Sequence, residues 1–394
     1  MRQVLRVDFE LSDDYRALVE TVREFGERWF TFENVNQWQR DEGLPDEVVR
    51  DFVKLDFHGF GVIHRREHKR YDPFAQVLVL EELARTSGAA LPFANDFLNL
   101  QTMEEFAGTG EFEFVRSRYQ EEGRLAFALA TSEPQSGSDS LNIQTKVVER
   151  EGRLLLNGEK IFVNNGEYAP YLLVSAIDTT ISEDVNSALS FWLVPHGSKG
   201  IKAYPIEKVG QSLLPFSSVV FEDVELDESW RLHGKRPGVH QLLKLFEIGR
   251  LFGCASALGE AQAAMEDAVA FAREREAFGS QITDFQLVQE LLVDMEVRLQ
   301  NMRMAVYRAA WMLENDAPEH PTRLAVALAK RSVPSDATKV ASDAMQIMGG
   351  RGYTRSQRVS SIWQDCRGFQ IADGTDQIMV RVAAPLLLEK YEDR

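Results

Sequence analysis

The sequence predicts an α+β chain in three blocks: helical over 1–123, strand-rich over 124–231 and a helical bundle over 232–394. Apolar residues recur at steps of three and four in the first and last blocks, the spacing of one helical face. Between them the pattern breaks into short β-branched runs bounded by turn pairs. The length of 394 residues leaves room for two or three domains at roughly 150 residues each.

In the first block, Leu11-Ser12-Asp13-Asp14 is a helix start signal, followed by Tyr15, Leu18, Val19, Val22 and Phe25 on one face. Further helices are expected around Val48 to Leu55 and Phe74 to Leu83, with Ser87-Gly88 as a break. In the middle block, strands are expected from Thr145 to Arg150, from Arg153, from Tyr171 to Ala176, from Leu189 to Val194 and from Ser218. Glu151-Gly152, Asn157-Gly158 and Asn165-Gly166 supply tight turns between several of them. In the last block, Phe285, Val288, Leu292, Met295, Leu299, Met302, Val306, Ala309 and Leu313 mark one long helix of a bundle.

Composition excludes several classes of function. Hydrophobic residues at 44% and charged residues at 27% provide a core and argue against disorder. With 44 basic against 61 acidic side chains the net charge is -17, the wrong sign for a nucleic-acid binder. No apolar run approaches the roughly 20 residues that cross a bilayer, and the first residues do not read as a signal peptide, so a cytoplasmic location is expected. Only Cys254 and Cys366 are present, which excludes a disulfide scaffold and a cysteine zinc site. Redox chemistry here requires a bound cofactor.

His64-Arg-Arg-Glu-His68 matches the H-x-x-E-H pattern of some zinc proteases. Its neighbouring cations repel a divalent ion, so the segment reads as solvated charge and no metal is expected. Gly349-Gly350-Arg351-Gly352 does not continue as G-x-G-x-x-G and follows a helix, so it fails the context of a dinucleotide loop and reads as a turn. Four stretches are informative in combination: LATSEPQSGSD (129–139), LNGEKIFVNNG (156–166), Arg275-Glu-Ala-Phe-Gly279 with Phe285-Gln286, and Gln346 to Tyr353 with Asp373-Gly-Thr-Asp-Gln377. Singly, they are a loop, a hairpin, a helix corner and a turn.

In this order along nearly the whole chain they resemble the acyl-CoA dehydrogenase family of flavoproteins. The resemblance implies an N-terminal α-helical domain, a middle β-barrel domain and a C-terminal four-helix bundle. It implies FAD as cofactor, with Ser132 at the pyrimidine edge, Ser138 at the pyrophosphate, and Phe162 and Asn164 beside the ring. Arg275, Phe278, Gln286, Gln346 and Gly350 would reach the cofactor from a neighbouring subunit, Arg275 as charge partner of the diphosphate, and Thr375 and Gln377 would close it. A homotetramer built as a dimer of dimers follows from the resemblance, as do electron-transfer flavoprotein as redox partner and a role in fatty acid metabolism.

The reaction so implied removes the α-proton of an acyl-CoA, or a related thioester, with a carboxylate while hydride leaves the β-carbon for flavin N5. The base is usually a glutamate directly before Gly-Thr; here the position holds Asp373, one methylene shorter, and a misplacement of about 1 Å can cost on the order of 10²-fold in rate. Without the resemblance, Asp373-Gly374 is simply a turn. An alternative family position for the base is occupied by Gly249, beside Arg250; these two and Ser138 are the expected substrate contacts. Glu247, two residues away, should face elsewhere on the helix. Asn164 stands where the family usually has threonine, and Gly210-Gln-Ser-Leu-Leu-Pro-Phe lacks the usual Arg-x-Ser. Two rivals share the fold: an oxidase in the manner of nitroalkane oxidase, with Asp373 as base, and a non-catalytic partner subunit.

Overall fold

The computed structural model describes residues 10–57, 71–106, 109–122, 127–182, 184–232, 238–315 and 317–392. The His64–His68 segment lies outside them, and no group of three His, Cys, Asp or Glu side chains among the described residues could hold a metal.

Six helices form the first block: α1 (Asp13–Trp29), α2 (Phe32–Asp41), α3 (Asp46–Lys54), α4 (Pro73–Ser87), α5 (Phe93–Phe106) and α6 (Thr109–Glu122). The expected start of α1 is made by Ser12, whose hydroxyl accepts from Tyr15 N at 3.3 Å. Helix α4 is buried on nearly every side, as befits a central helix. It packs between α1 and the long helix α8 (Val239–Glu274) of the last block.

The middle block is one seven-stranded sheet. Its strands are β1 (Ala128–Ala130), β2 (Lys146–Arg150), β3 (Arg153–Asn164), β4 (Tyr171–Asp178), β5 (Leu189–Pro195), β6 (Ile201–Ile206) and β7 (Phe216–Leu226), with a short α7 (Val185–Ala188) before β5. β4 pairs with β5 on one side and with β1 and β2, both parallel, on the other; β3, β7 and β6 follow in antiparallel order. Trp192 of β5 and Phe221 of β7 share a single core with Ala203 of β6, so the sheet curls around it in the manner of a barrel. No pairing joins β5 to β6 among the described residues. β4 and β5 are buried on both faces, which explains their unbroken apolar runs.

Two of the three expected turns are present: Glu151-Gly152 and Asn165 adopt positive φ at strand ends. Asn157-Gly158 instead lies inside β3, where pairing with β7 shifts register between Leu156 and Gly158. A side chain at Gly158 would collide with Thr145, so this glycine permits close approach of the segment leading into β2 rather than reversal of the chain.

The last block continues from α8 through a small hairpin, β8 (Glu276–Ala277) and β9 (Ser280–Gln281), to α9 (Gln286–Glu314), α10 (Glu319–Met348), α11 (Val359–Phe369) and α12 (Asp376–Glu392). α10 packs against α8, α9, α11 and α12. The stripe Met295, Leu299, Met302, Val306 and Ala309 is the buried face of α9. Asp365 on α11 ties the three blocks together: it accepts from Ala90 N at 3.0 Å and from Gln211 N in the β6–β7 loop. Burial pushes its carboxyl up to about 6, against the pull of those amides and Lys208.

Candidate active site

Asp373 sits between α11 and α12 with φ 53°, followed by Gly374 at φ 100°. The turn is held by its backbone. Arg250 Nε on α8 donates to Asp373 O at 2.9 Å, and Lys330 Nζ on α10 donates to Phe369 O at 2.7 Å and Gly374 O at 3.1 Å. The carboxyl lies against α8 where the helix has no side chain. A methyl group at Gly249 would come 3.4 Å from Asp373 Cγ and Oδ1 and 3.3 Å from Leu98 Cδ2 of α5. One at Gly253 would lie 3.9 Å from Oδ2. Two glycines one turn apart thus make the notch that accepts the acid.

Asp373 is not sealed and keeps partial access to open space. Protein nevertheless surrounds it densely enough that burial raises its pKa above the usual carboxylate value, opposed by Lys330 and Arg250. Burial also pushes the thiol of nearby Cys254, on α8, up to about 12. Glu247 is buried elsewhere, 3.8 Å from Arg323 of α10, with no hydrogen bond to either oxygen. Arg250 also lies over the ring of Phe246 at 5.8 Å.

A second cluster forms on the middle block. Between Lys160 and Val163, β3 shifts register against β7, and Phe162 takes φ 59°. The bulge breaks the alternation of β3, so Lys160 and Val163 point inward while Phe162 is left 56% exposed. Phe216 stands beside it, ring centroids 6.0 Å apart, with Lys208 Nζ 4.5 Å above the Phe216 ring. Ser132 O accepts from Ile161 N at 2.9 Å, which brings the 129–139 loop alongside. Asn164 Oδ1 and Asn165 Nδ2 are buried without a hydrogen-bond partner, a cost of about 1–3 kcal/mol each unless a bound group supplies one. An exposed aromatic face beside an acceptor and a donor that lack partners fits a flat heteroaromatic ring with polar edges, so these residues fit a flavin.

The loop is shaped by a pair that the sequence reading did not single out. Lys160 Nζ, fully buried, lies 2.8 Å from Glu133 Oε1 and also donates to Thr131 O and Ser175 Oγ. Glu133 further accepts from Gln144 N at 2.7 Å and Thr145 N at 3.0 Å. Burial lowers the Lys160 pKa to about 8 despite Glu133; for Glu133, burial opposes the charge but Lys160 and the amides win, lowering its pKa. A visible signal existed: Lys160 shares the inward parity of Leu156. Lys330 was equally legible, four residues after Val326 and three before Val333 on the buried stripe of α10.

The remaining expected positions lie apart from these two clusters or at their margins. Ser138 is exposed. Arg275 ends α8, Phe278 forms the tip of the β8–β9 hairpin at 98% exposure, and Gln286 opens α9, so the three share one corner. Gln346 and Gly350 are exposed at the end of α10. Thr375 caps α12, its hydroxyl accepting from Ile378 N at 3.3 Å, and Gln377 is exposed. A cleft lined by Glu42, Tyr168, Ile206, Lys208, Ser212 and Phe216 adjoins the second cluster; its walls do not include Asp373.

The chain matches the acyl-CoA dehydrogenase N-terminal domain over residues 12–114, the middle domain over 128–224 and the C-terminal domain over 236–388. It is 32% identical over 389 residues to the probable acyl-CoA dehydrogenase YdiO of Escherichia coli K12, covering 98% of this chain and 100% of that one. It is 28% identical to the caffeyl-CoA reductase-Etf complex subunit CarC of Acetobacterium woodii, covering 96% and 99%. A crystal structure of an acyl-CoA dehydrogenase from Slackia heliotrinireducens superposes with a TM-score of 0.90 at 56% identity, covering 99% and 100%.

Proposed function

As the chain belongs to the acyl-CoA dehydrogenase family, we propose that Asp373 is the base that takes the α-proton of its acyl thioester and that FAD is the flavin it uses. The protein is an oxidoreductase acting on the CH–CH group of an acyl-CoA. The observation that carries the assignment of the base is the Asp373 carboxyl seated at the Gly249 and Gly253 notch, on a turn anchored by Arg250.

The chain's own residues divide the work. Asp373, with its pKa raised by burial, is a stronger base than a free carboxylate once ionised, and the apolar Leu98 and Phe369 beside the notch keep bulk water away. Arg250 and Lys330 fix the backbone that aims it. Phe162 and Phe216 would wall the ring, Asn164 would meet its polar edge, and Ser132 and Ser138 would bind the pyrimidine and the pyrophosphate. When bound, FAD supplies the acceptor for the hydride that leaves the β-carbon.

Arg275, Phe278, Gln286, Gln346 and Gly350 would serve the cofactor of a neighbouring subunit, with Thr375 and Gln377 closing it, in a homotetramer. Support comes from Val297, Met304 and Trp311, exposed at seven-residue intervals along α9, an apolar stripe suited to another copy. Electron-transfer flavoprotein is the proposed redox partner and fatty acid metabolism the setting; a relative named for an Etf complex supports the former. The test is anaerobic titration of the yellow holoprotein with butyryl-, glutaryl- and 3-arylpropionyl-CoA. Bleaching by one of them is expected. A flavin that none of them bleaches, or turnover that yields hydrogen peroxide without any acceptor protein, overturns the reading.

A further inference from the structure

Lys330 is 1% exposed and forms no ion pair within 4 Å among the described residues. Its hydrogen bonds run to two main-chain carbonyls, Phe369 O and Gly374 O, which bracket Asp373. An unpaired buried ammonium costs several kcal/mol, and two carbonyls could be held by a neutral amide. The turn it holds is itself unfavourable: aspartate at φ 53° occupies a region that persists only where its surroundings impose it. With Arg250 on Asp373 O, three carbonyls within six residues are held by two buried cations, one from α8 and one from α10.

We propose that Lys330 is a positioning residue of the reaction, holding the Asp373 turn against the α8 notch and supplying the positive charge beneath its carboxylate. This rests on the reading of Asp373 as base. The charged and titratable groups that act on that carboxyl are Lys330 on α10 and Arg250 and Cys254 on α8; Glu247 faces Arg250 and Arg323, and Asp376 at the start of α12 faces Lys330. Of these, Lys330 and Arg250 favour the ionised acid, and Lys330 is the stronger influence. Removing its charge therefore raises the pH at which the base becomes available. Loss of packing alone would instead open the turn to water and lower that pH.

The test is incorporation of deuterium at the α-carbon of butyryl-, glutaryl- and 3-arylpropionyl-CoA in D2O, read by mass spectrometry as a function of pH on the FAD-loaded full chain, with melting temperature as a control. In Lys330→Gln and Lys330→Met the acidic limb should move up by about one pH unit. The plateau rate should fall on the order of 10²-fold, as for a base displaced by about 1 Å. Lys330→Arg, which keeps the charge, should restore the position of the limb, and it carries the test if the neutral variants do not fold. A limb that stays in place or moves down in the neutral variants, or that moves up in Lys330→Arg, overturns the proposal while leaving Asp373 as base. Absence of exchange in the unaltered protein with all three thioesters overturns both.

Discussion

Asp373→Asn separates the charge of the proposed base from the turn that carries it. Asparagine tolerates the left-handed region about as readily as aspartate, so φ 53° is no obstacle. Arg250 and Lys330 bind main-chain carbonyls, which the substitution leaves intact, and the amide fits the notch at Gly249 as the carboxyl does. The stability effect has a definite sign. Burial holds the folded pKa above the unfolded value, so the stability Asp373 contributes is fully present below the unfolded pKa and is lost as pH rises through the folded one. Asparagine removes that loss, and the variant should melt at or above the temperature of the unaltered protein at pH 8. The rate of anaerobic flavin reduction by the best thioester should fall on the order of 10²–10⁴-fold, about 3–5 kcal/mol of barrier at 1.36 per decade. Stopped-flow absorbance beside a melting curve reads both quantities. Undiminished bleaching would refute the role of the acid; a slow variant that also loses flavin or several degrees of stability would show that the carboxyl is structural.

The Gly249 notch gives a second outcome: Gly249→Ala presses on Leu98 and on the Asp373 carboxyl, so flavin reduction should slow by up to about tenfold while helix stability rises by roughly 0.5–1 kcal/mol. An unchanged rate with a raised melting temperature would mean that the acid has room to spare. Lys160→Met leaves Glu133 buried without its cation and should cost about 3–5 kcal/mol in urea unfolding, with much of the loss recovered in the double variant with Glu133→Gln; a mild single variant contradicts the role of the pair. Asp96 is raised to about 8 by burial, against its hydrogen bond from Tyr119, so the stability it contributes declines from pH ~4 to 8 by at most ~1.4 kcal/mol per pH unit. The advantage of Asp96→Asn should therefore widen from pH 5 to 8, and parallel melting profiles would exclude it.

How much of the fold the sequence shows depends on how local its cause is. The Ser12 cap and the α9 stripe need only neighbouring residues, and both appear as expected. β1 spans only Ala128–Ala130, and its parallel partner β4 lies more than forty residues on, so no local pattern announces it. β6 alternates weakly, carries Lys202 and Pro205, and among the described residues pairs with β7 alone. Asn157-Gly158 misleads for a related reason. A glycine that frees the backbone to reverse and one that clears space for Thr145, at the entrance to β2, are identical in the sequence.

The site is less legible because its residues stand where local preference is overruled. Phe162, Phe278 and Asp373 all adopt φ between 53° and 59°, where non-glycine residues cost about 1–3 kcal/mol. Phe278-Gly279 and Asp373-Gly374 use the same device: two successive residues of positive φ at a tight turn, with a different outcome for the first side chain, which lies against α8 at Asp373 and in the open at Phe278. At Asp373 the cost is met inside the chain by Lys330 and Arg250. At Phe278 no such support is present among the described residues: the ring is 98% exposed, with the edge of Phe285 at 6.1 Å. A bulky aromatic is a poor choice for a hairpin tip that asparagine would form without strain. Among the described residues the same strain is thus balanced at one turn and not at the other, which supports the proposed role of Phe278 at the cofactor of a neighbouring subunit.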